Sequence, residues 1–94
     1  MYTYDKVFTS QTANGSTSSL NWDGREGQVI ASGTWDGANI QLEVSPDSGT
    51  TWVSVGDEGK LEADGAFNFS LNPCNVRLTV ASAGASTSLN AWIT

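Results

Sequence analysis

Carboxylates are the most plentiful reactive side chains in this sequence: Asp5, Asp23, Asp36, Asp47, Asp57, Asp64, Glu26, Glu43, Glu58 and Glu62. Glycoside hydrolysis would need two of them across one cleft, one of them held protonated by its surroundings. Their positions argue for another use. Asp23, Asp36 and Asp64 each precede a glycine, where a carboxylate serves turn geometry. Asp57, Glu58, Glu62 and Asp64 crowd the stretch GDEGKLEADG at 56–65, and oxygens of this kind suit calcium. The spacing matches no calcium loop, and Lys60 lies among them, so a solvated loop is expected. The chain has no histidine to activate a serine or cysteine. Cys74 is its only cysteine, which excludes a disulfide within the chain and a Cys/His metal cluster. It follows Pro73 near a strand start and reads as a small buried or half-buried thiol. No glycine-rich phosphate loop with its lysine is present. No catalytic residue, metal ligand or cofactor is expected from these side chains.

The most compact pattern is SPDSGTTW at 45–52, which spaces Ser45, Asp47, Gly49, Thr51 and Trp52. It resembles the Asp-box, a hairpin turn found in sialidases and many other β-proteins. Each part has a local structural task. Pro46 fixes φ at the start of the turn. Asp47 can accept hydrogen bonds from backbone N–H groups further on. Gly49 supplies a conformation that a side chain would forbid, and Trp52 folds its ring over the hairpin. Sialidase chemistry does not follow. That fold repeats the box through a much longer propeller and gathers arginines around a carboxylate, whereas this chain has one box and only Arg25 and Arg77. The motif is expected to close one turn, between strands at 38–45 and 51–56.

The elements around it are strands. Ser, Thr, Gly and Asn dominate, and no window sustains a 3.6-residue period. Alternation is common instead. ANIQLEVS sets Ile40, Leu42 and Val44 on one face, AFNFSL sets Phe67, Phe69 and Leu71, and NVRLTVA sets Val76, Leu78 and Val80. SLNAWI offers Leu89, Ala91 and Ile93 inward, or Trp92 if the register is reversed. Asn14-Gly15, Asp23-Gly24, Asp36-Gly37 and Asp64-Gly65 permit the positive φ of tight turns. The pattern predicts about eight strands, at 4–9, 17–22, 28–35, 38–45, 51–56, 66–71, 75–81 and 87–93. Strand 28–35 is expected to fold straight back onto 38–45 through Asp36-Gly37. The small-residue stretches 11–19 and 81–87 are expected to be exposed loops, or a flexible arm that orders on a partner. The fold class is all-β, a small antiparallel β-sandwich or jelly-roll-like barrel in one domain of 94 residues. Residues 1–27 form either an N-terminal arm or extra strands of it.

A chain this short buries only about 60–65 % of its unfolded surface, so a partner subunit is the expected reinforcement. The formal net charge is −6, and the basic residues Lys6, Arg25, Lys60 and Arg77 are scattered. Nucleic acid and anionic membranes are therefore excluded as partners. The start, MYTYDKVFTS, lacks the basic head and apolar run of a secretory signal, and the free cysteine fits synthesis in a reducing cytoplasm. Trp22, Trp35, Trp52 and Trp92 are many for this length. They are expected in the core or at an interface, with an exposed sugar-stacking row as the alternative.

The order from position 30 to 94 is an Asp-Gly reversal, SPDSGTTW, a short polar loop, FNFSL, a Pro turn, VRLTV, a Gly/Ser loop and a last strand. This order resembles small virion proteins of tailed bacteriophages, of the capsid decoration (cement) or head-fibre kind; related modules occur in tail fibres. The resemblance implies a non-enzymatic protein, made in the host cytoplasm and carried on the capsid surface. It implies binding to the major capsid protein, and self-association with a trimer favoured. A carbohydrate-binding or tail-fibre receptor-binding module is the alternative, and only there would a glycan be the ligand. Large apolar residues near the ends are the candidates for subunit contacts: Tyr2, Tyr4, Phe8, Trp92 and Ile93. Extension of the core is their other reading.

Overall fold

The computed structural model describes residues 5–94. Along them run the strands β1 (Asp5–Gln11), β2 (Gly15–Ser16), β3 (Leu20–Trp22), β4 (Glu26–Thr34), β5 (Asn39–Ser45) and β6 (Val53–Ser54). A 3-10 turn (Asp57–Gly59) precedes β7 (Lys60–Leu61), β8 (Gly65–Ser70), β9 (Cys74–Ala81) and β10 (Ser88–Ile93). They form two antiparallel sheets. The first has the order β1-β10-β4-β8. In the second, β9 and β5 form the centre, β2 and β3 share the outer side of β9, and β6 and β7 share that of β5. The fold is a small antiparallel β-sandwich.

Alternation builds the core. The β5–β9 register sets Ile40 opposite Val80, Leu42 opposite Leu78 and Val44 opposite Val76 on the inner face. Glu43 opposite Arg77 and Gln41 opposite Thr79 therefore face outward. In the first sheet Val29 and Ala31 of β4 join Leu89, Ala91 and Ile93 of β10 in one buried cluster with Ile40, Leu42, Val76, Leu78 and Val80. Trp22 of β3 crosses to Phe69 of β8, ring centroids 4.8 Å apart. Gly27 makes room for that pair. A Cβ there would lie 2.5 Å from both rings.

The Asp36-Gly37 expectation holds for the turn and fails for the hairpin. The Ala38 amide donates to the Trp35 carbonyl at 2.8 Å, with φ of 46° at Asp36 and 85° at Gly37. Yet β4 lies in the first sheet and β5 in the second. The turn is a crossing between layers. Asp36 Oδ2 accepts from the Ser86 amide at 2.8 Å, and the Thr87 hydroxyl donates to the Trp35 carbonyl at 2.9 Å. This ties it to the loop that carries β9 of the second sheet over to β10 of the first. The two crossings are neighbours because β4 pairs with β10 and β5 pairs with β9.

Asn14-Gly15 and Asp64-Gly65 do not take the expected positive φ, whereas Gly24 does, at 88°. Asn14 instead accepts a hydrogen bond from the Ala83 amide, and Asp64 one from the Gly33 amide. Two of the residues expected at subunit contacts belong to the core: Phe8 is 5 % exposed and Ile93 2 %. Inward alternation on β1 and β10 claims both side chains. Tyr2 and Tyr4 lie outside the described residues.

Leu42 is fully buried at the centre of β5. Leu42→Ala is expected to lower the unfolding free energy by about 2–5 kcal/mol in urea titrations. Gly27→Ala, which crowds Trp22 and Phe69, is expected to cost about 1–3 kcal/mol in the same measurement.

Candidate functional site

The turn after β5 brings the five residues of the SPDSGTTW motif together. Buried Ser45 ends the strand. Its hydroxyl donates to Asp47 Oδ1 at 2.9 Å and accepts from the Gly49 amide at 2.7 Å. Asp47 Oδ1 also accepts from the Thr51 amide at 2.7 Å. Ser48 and Gly49 both take left-handed φ, 61° and 97°, which swings the chain back into β6. Trp52 Nε1 donates to the Gly49 carbonyl at 3.1 Å and closes the loop. The Thr51 amide, with the Thr51 and Ser45 hydroxyls, holds the Asp47 carboxyl below its ordinary 3.8. The geometry satisfies the backbone and leaves Asp47 engaged on the turn itself.

Trp52 links the turn to the outer face of the second sheet. The Arg77 guanidinium lies 4.3 Å from its ring centroid. Arg77 Nε donates to Glu43 Oε1 at 2.8 Å, and the Thr79 hydroxyl donates to the same oxygen at 2.6 Å. Ser16 Oγ lies 2.8 Å from Thr79 Oγ1 and brings β2 into the chain. The Glu43 and Arg77 side chains are only 17 % and 26 % exposed, so their mutual attraction is less screened than at an open surface. The pair binds β5 to β9 across the ladder.

The other carboxylates are dispersed. Asp64 Oδ1 accepts from the Gly33 amide at 3.0 Å and from Trp35 Nε1 at 2.8 Å. Glu62 lies 3.6 Å from Lys60, and Asp23 3.1 Å from Arg25. Among the described residues, no three Asp, Glu, Cys or His side chains converge as a metal site. Cys74 is half-buried, and that burial raises its thiol pKa.

The tryptophans do not form one stacking row. Trp22 is buried, with Arg25 over its ring at 4.2 Å. Trp35 sits at the β4–β5 crossing, Trp52 on the outer face of the second sheet and Trp92 on the outer face of the first. On that last face Trp92 lies opposite Ile30, which lies opposite Ala66, and Lys6 pairs on the far side. The Lys6 ammonium is 5.3 Å from the Trp92 ring centroid. The row Lys6–Trp92–Ile30–Ala66 crosses all four strands of the sheet. Asn90, Ser32, Gln28 and Asn68 share the face. Of the terminal residues expected at contacts, Trp92 alone is described and outward-facing. Ile30 and Ala66 were not singled out from the sequence. The signal for Ile30 was present, because Val29-Ile30-Ala31 is a run of three apolar residues whose middle member must face away from its neighbours. A second apolar feature is an open groove of about 520 Å³ beside the SPDSGTTW turn, lined by Val44, Pro46, Val53, Leu71, Pro73 and Cys74. Val53 on its rim is 52 % exposed.

Fold and surface together define the class: a two-sheet antiparallel sandwich of small size, with a stiffened turn at one end and a flat mixed face on one sheet. The crystal structure of the SPBc2 prophage-derived protein YomS shows a similar fold. The superposition reaches a TM-score of 0.64 and covers 99 % of this chain and 96 % of that one, at 12 % sequence identity. At that identity the likeness is one of fold. No protein-family model and no curated protein matches the sequence.

The Asp47 carboxylate gives a pH test. Its pKa is depressed in the fold, so the stability it contributes is complete above 3.8 and is lost as the pH falls below that value through the folded one. The gap in urea midpoint between wild type and Asp47→Asn is expected to shrink on going from neutral to more acidic pH than 3.8. Trp52→Ala, which removes the ring over Arg77, is expected to lower stability by about 1–2 kcal/mol.

Proposed function

We propose that this chain is a bacteriophage structural protein that decorates the outside of the capsid and works by surface contact rather than by turnover. The observation that carries the reading is the fold likeness to a prophage-derived protein along essentially the whole of both chains. The turn and strand order that resembles decoration proteins supports the finer assignment. The internal use of polar groups supports it as well. The carboxylates of the SPDSGTTW turn and of the β5–β9 ladder are held by backbone amides and by Arg77, which suits a rigid block. In this reading the 45–52 turn is an Asp-box-type stiffener. The outer face around Trp92 is the contact surface for the major capsid protein, since a large aromatic ringed by polar groups makes an efficient anchor. Self-association on the head adds avidity to weak single contacts.

A second reading is favoured by one feature of the same face. Asn90 and Gln28 share the face of Trp92, with Asn68 opposite Gln28 one strand further out, and a face that mixes amides with an indole suits a sugar ring in a carbohydrate-binding or tail-fibre module. Lys6 over the Trp92 ring occupies the position that such a sugar would need.

Pelleting with assembled heads of a tailed phage that carries this chain separates these readings. The protein is expected to sediment with the heads, and Trp92→Ala to weaken that binding about tenfold with the fold intact by circular dichroism. Wild-type protein left in the supernatant, with its tryptophan fluorescence moved by a polysaccharide instead, would favour the glycan reading.

A further inference from the structure

Among the described residues the sandwich has four sheet edges, and three of them are interrupted. The edge beside β9 is divided between β2 and β3, and the edge beside β5 between β6 and β7, in pieces of two or three residues. The β1 edge carries two register shifts against β10, and Ser10 there has a φ of 49°. Short pieces, bulges and an edge lysine are the usual protections against unwanted strand pairing. The fourth edge has none of them. β8 runs for six residues, GAFNFS, with neither charge nor proline, in unbroken register with β4 from Glu26–Ser70 to Ala31–Gly65.

The hydrogen-bond phase shows what this edge presents. Gln28 and Thr94 exchange both backbone bonds at 3.1 Å. In a regular antiparallel ladder that phase alternates. Gln28 and Ile30 therefore turn their N–H and C=O toward β10, and Gly27, Val29 and Ala31 turn theirs toward β8. Their partners there are Phe69, Phe67 and Gly65. The N–H and C=O of Ala66, Asn68 and Ser70 consequently point away, along the free edge. Among the described residues, no backbone bond outside the regular ladders reaches 65–70.

We propose that β8 pairs antiparallel with β8 of a second copy of this chain, joining the two first sheets into one continuous sheet. Charge at the edge does not oppose a second copy. β8 carries no charge, so two molecules of formal net charge −6 can meet along it without setting carboxylates opposite each other. Register favours a second copy. Side chains opposite one another must share a face, and one arrangement engages all three free residues of both strands. It sets Asn68 opposite Asn68 of the second copy and Ala66 opposite Ser70. Phe67 then meets Phe69 on the core side. This yields about six main-chain hydrogen bonds. The contact is isologous and closes as a dimer, where the family resemblance implies a trimer. It does not depend on the capsid reading.

The test uses the intact chain in sedimentation velocity over a dilution series, with Asn68 as the probe because it lies on the two-fold axis and is exposed. Wild type is expected to show a monomer–dimer equilibrium. Asn68→Asp and Asn68→Lys, each setting like charges opposite one another, are expected to weaken it about tenfold, and mixing the two variants to restore it. In a Cys74→Ser background, Asn68→Cys is expected to form an interchain disulfide on mild oxidation, while Asn90→Cys, on the same face two strands away, does not. A wild type that stays monomeric at its highest soluble concentration overturns the proposal. So does a dimer that both charged variants leave unchanged with their circular dichroism intact.

Discussion

Each long strand of this protein has one apolar face, and those faces can leave water only by meeting across a single gap. Ile40, Leu42, Val76, Leu78 and Val80 come from one sheet, and Val29, Ala31, Leu89, Ala91 and Ile93 from the other. Among the described residues no third layer exists to receive anything else. At about 25 cal/mol per Å² of apolar surface removed from water, this one seam is the main favourable contribution in a small domain, and small domains have little to spare. A one-residue slip in β5 or β9 would turn the whole apolar set outward, so the same alternation that stabilises the seam also fixes the register.

The other contacts follow from keeping the two layers opposed. The chain must cross between them, and it crosses at Asp36-Gly37 and again at 82–87. Each crossing holds the other through Asp36, Ser86, Thr87 and the Trp35 carbonyl. The outer face of the second sheet is bound across the ladder by Glu43, Arg77 and Thr79. The SPDSGTTW turn joins that network through Trp52 on Arg77. Asp36, Asp47, Asp64 and Glu43 are thus spent on geometry, while Glu26, Asp57 and Glu58 stay exposed. The apolar or neutral surfaces left to meet other molecules are the Trp92–Ile30 pair, the groove around Val53, and the edge of β8.

Strands were legible in the sequence where alternation was clean, as in ANIQLEVS, AFNFSL, NVRLTVA and SLNAWI. The 45–52 turn was legible because every residue in it acts on its near neighbours. The destination of β5 was not. Asp36-Gly37 encodes a reversal of direction, but the sheet that receives the next strand is decided by β9 and β10, more than thirty residues later. Phe8 and Ile93 looked available because they lie near the ends of the chain. The structure uses both to complete the core, since the inward-facing positions of β1 and β10 lie over the same gap as those of the other strands. The short strands β2 and β7 carry too few residues to show a period. The contrast among edges was invisible for a different reason: it exists only once the order β1-β10-β4-β8 is known.

The core seam and the open edge make one connected claim: two opposed sheets hold the molecule, and β8 is attached to them by one side only. Amide-resolved hydrogen exchange on dilute protein tests this most directly. The amides bonded between β4 and β10 and between β5 and β9 are expected to exchange slowest and together. Along β8 protection is expected to alternate, with Phe67 and Phe69 protected and Ala66, Asn68 and Ser70 exchanging freely. Uniform protection along β8 in the monomer, or a slowest-exchanging set that lies outside those two central strand pairs, would contradict that claim.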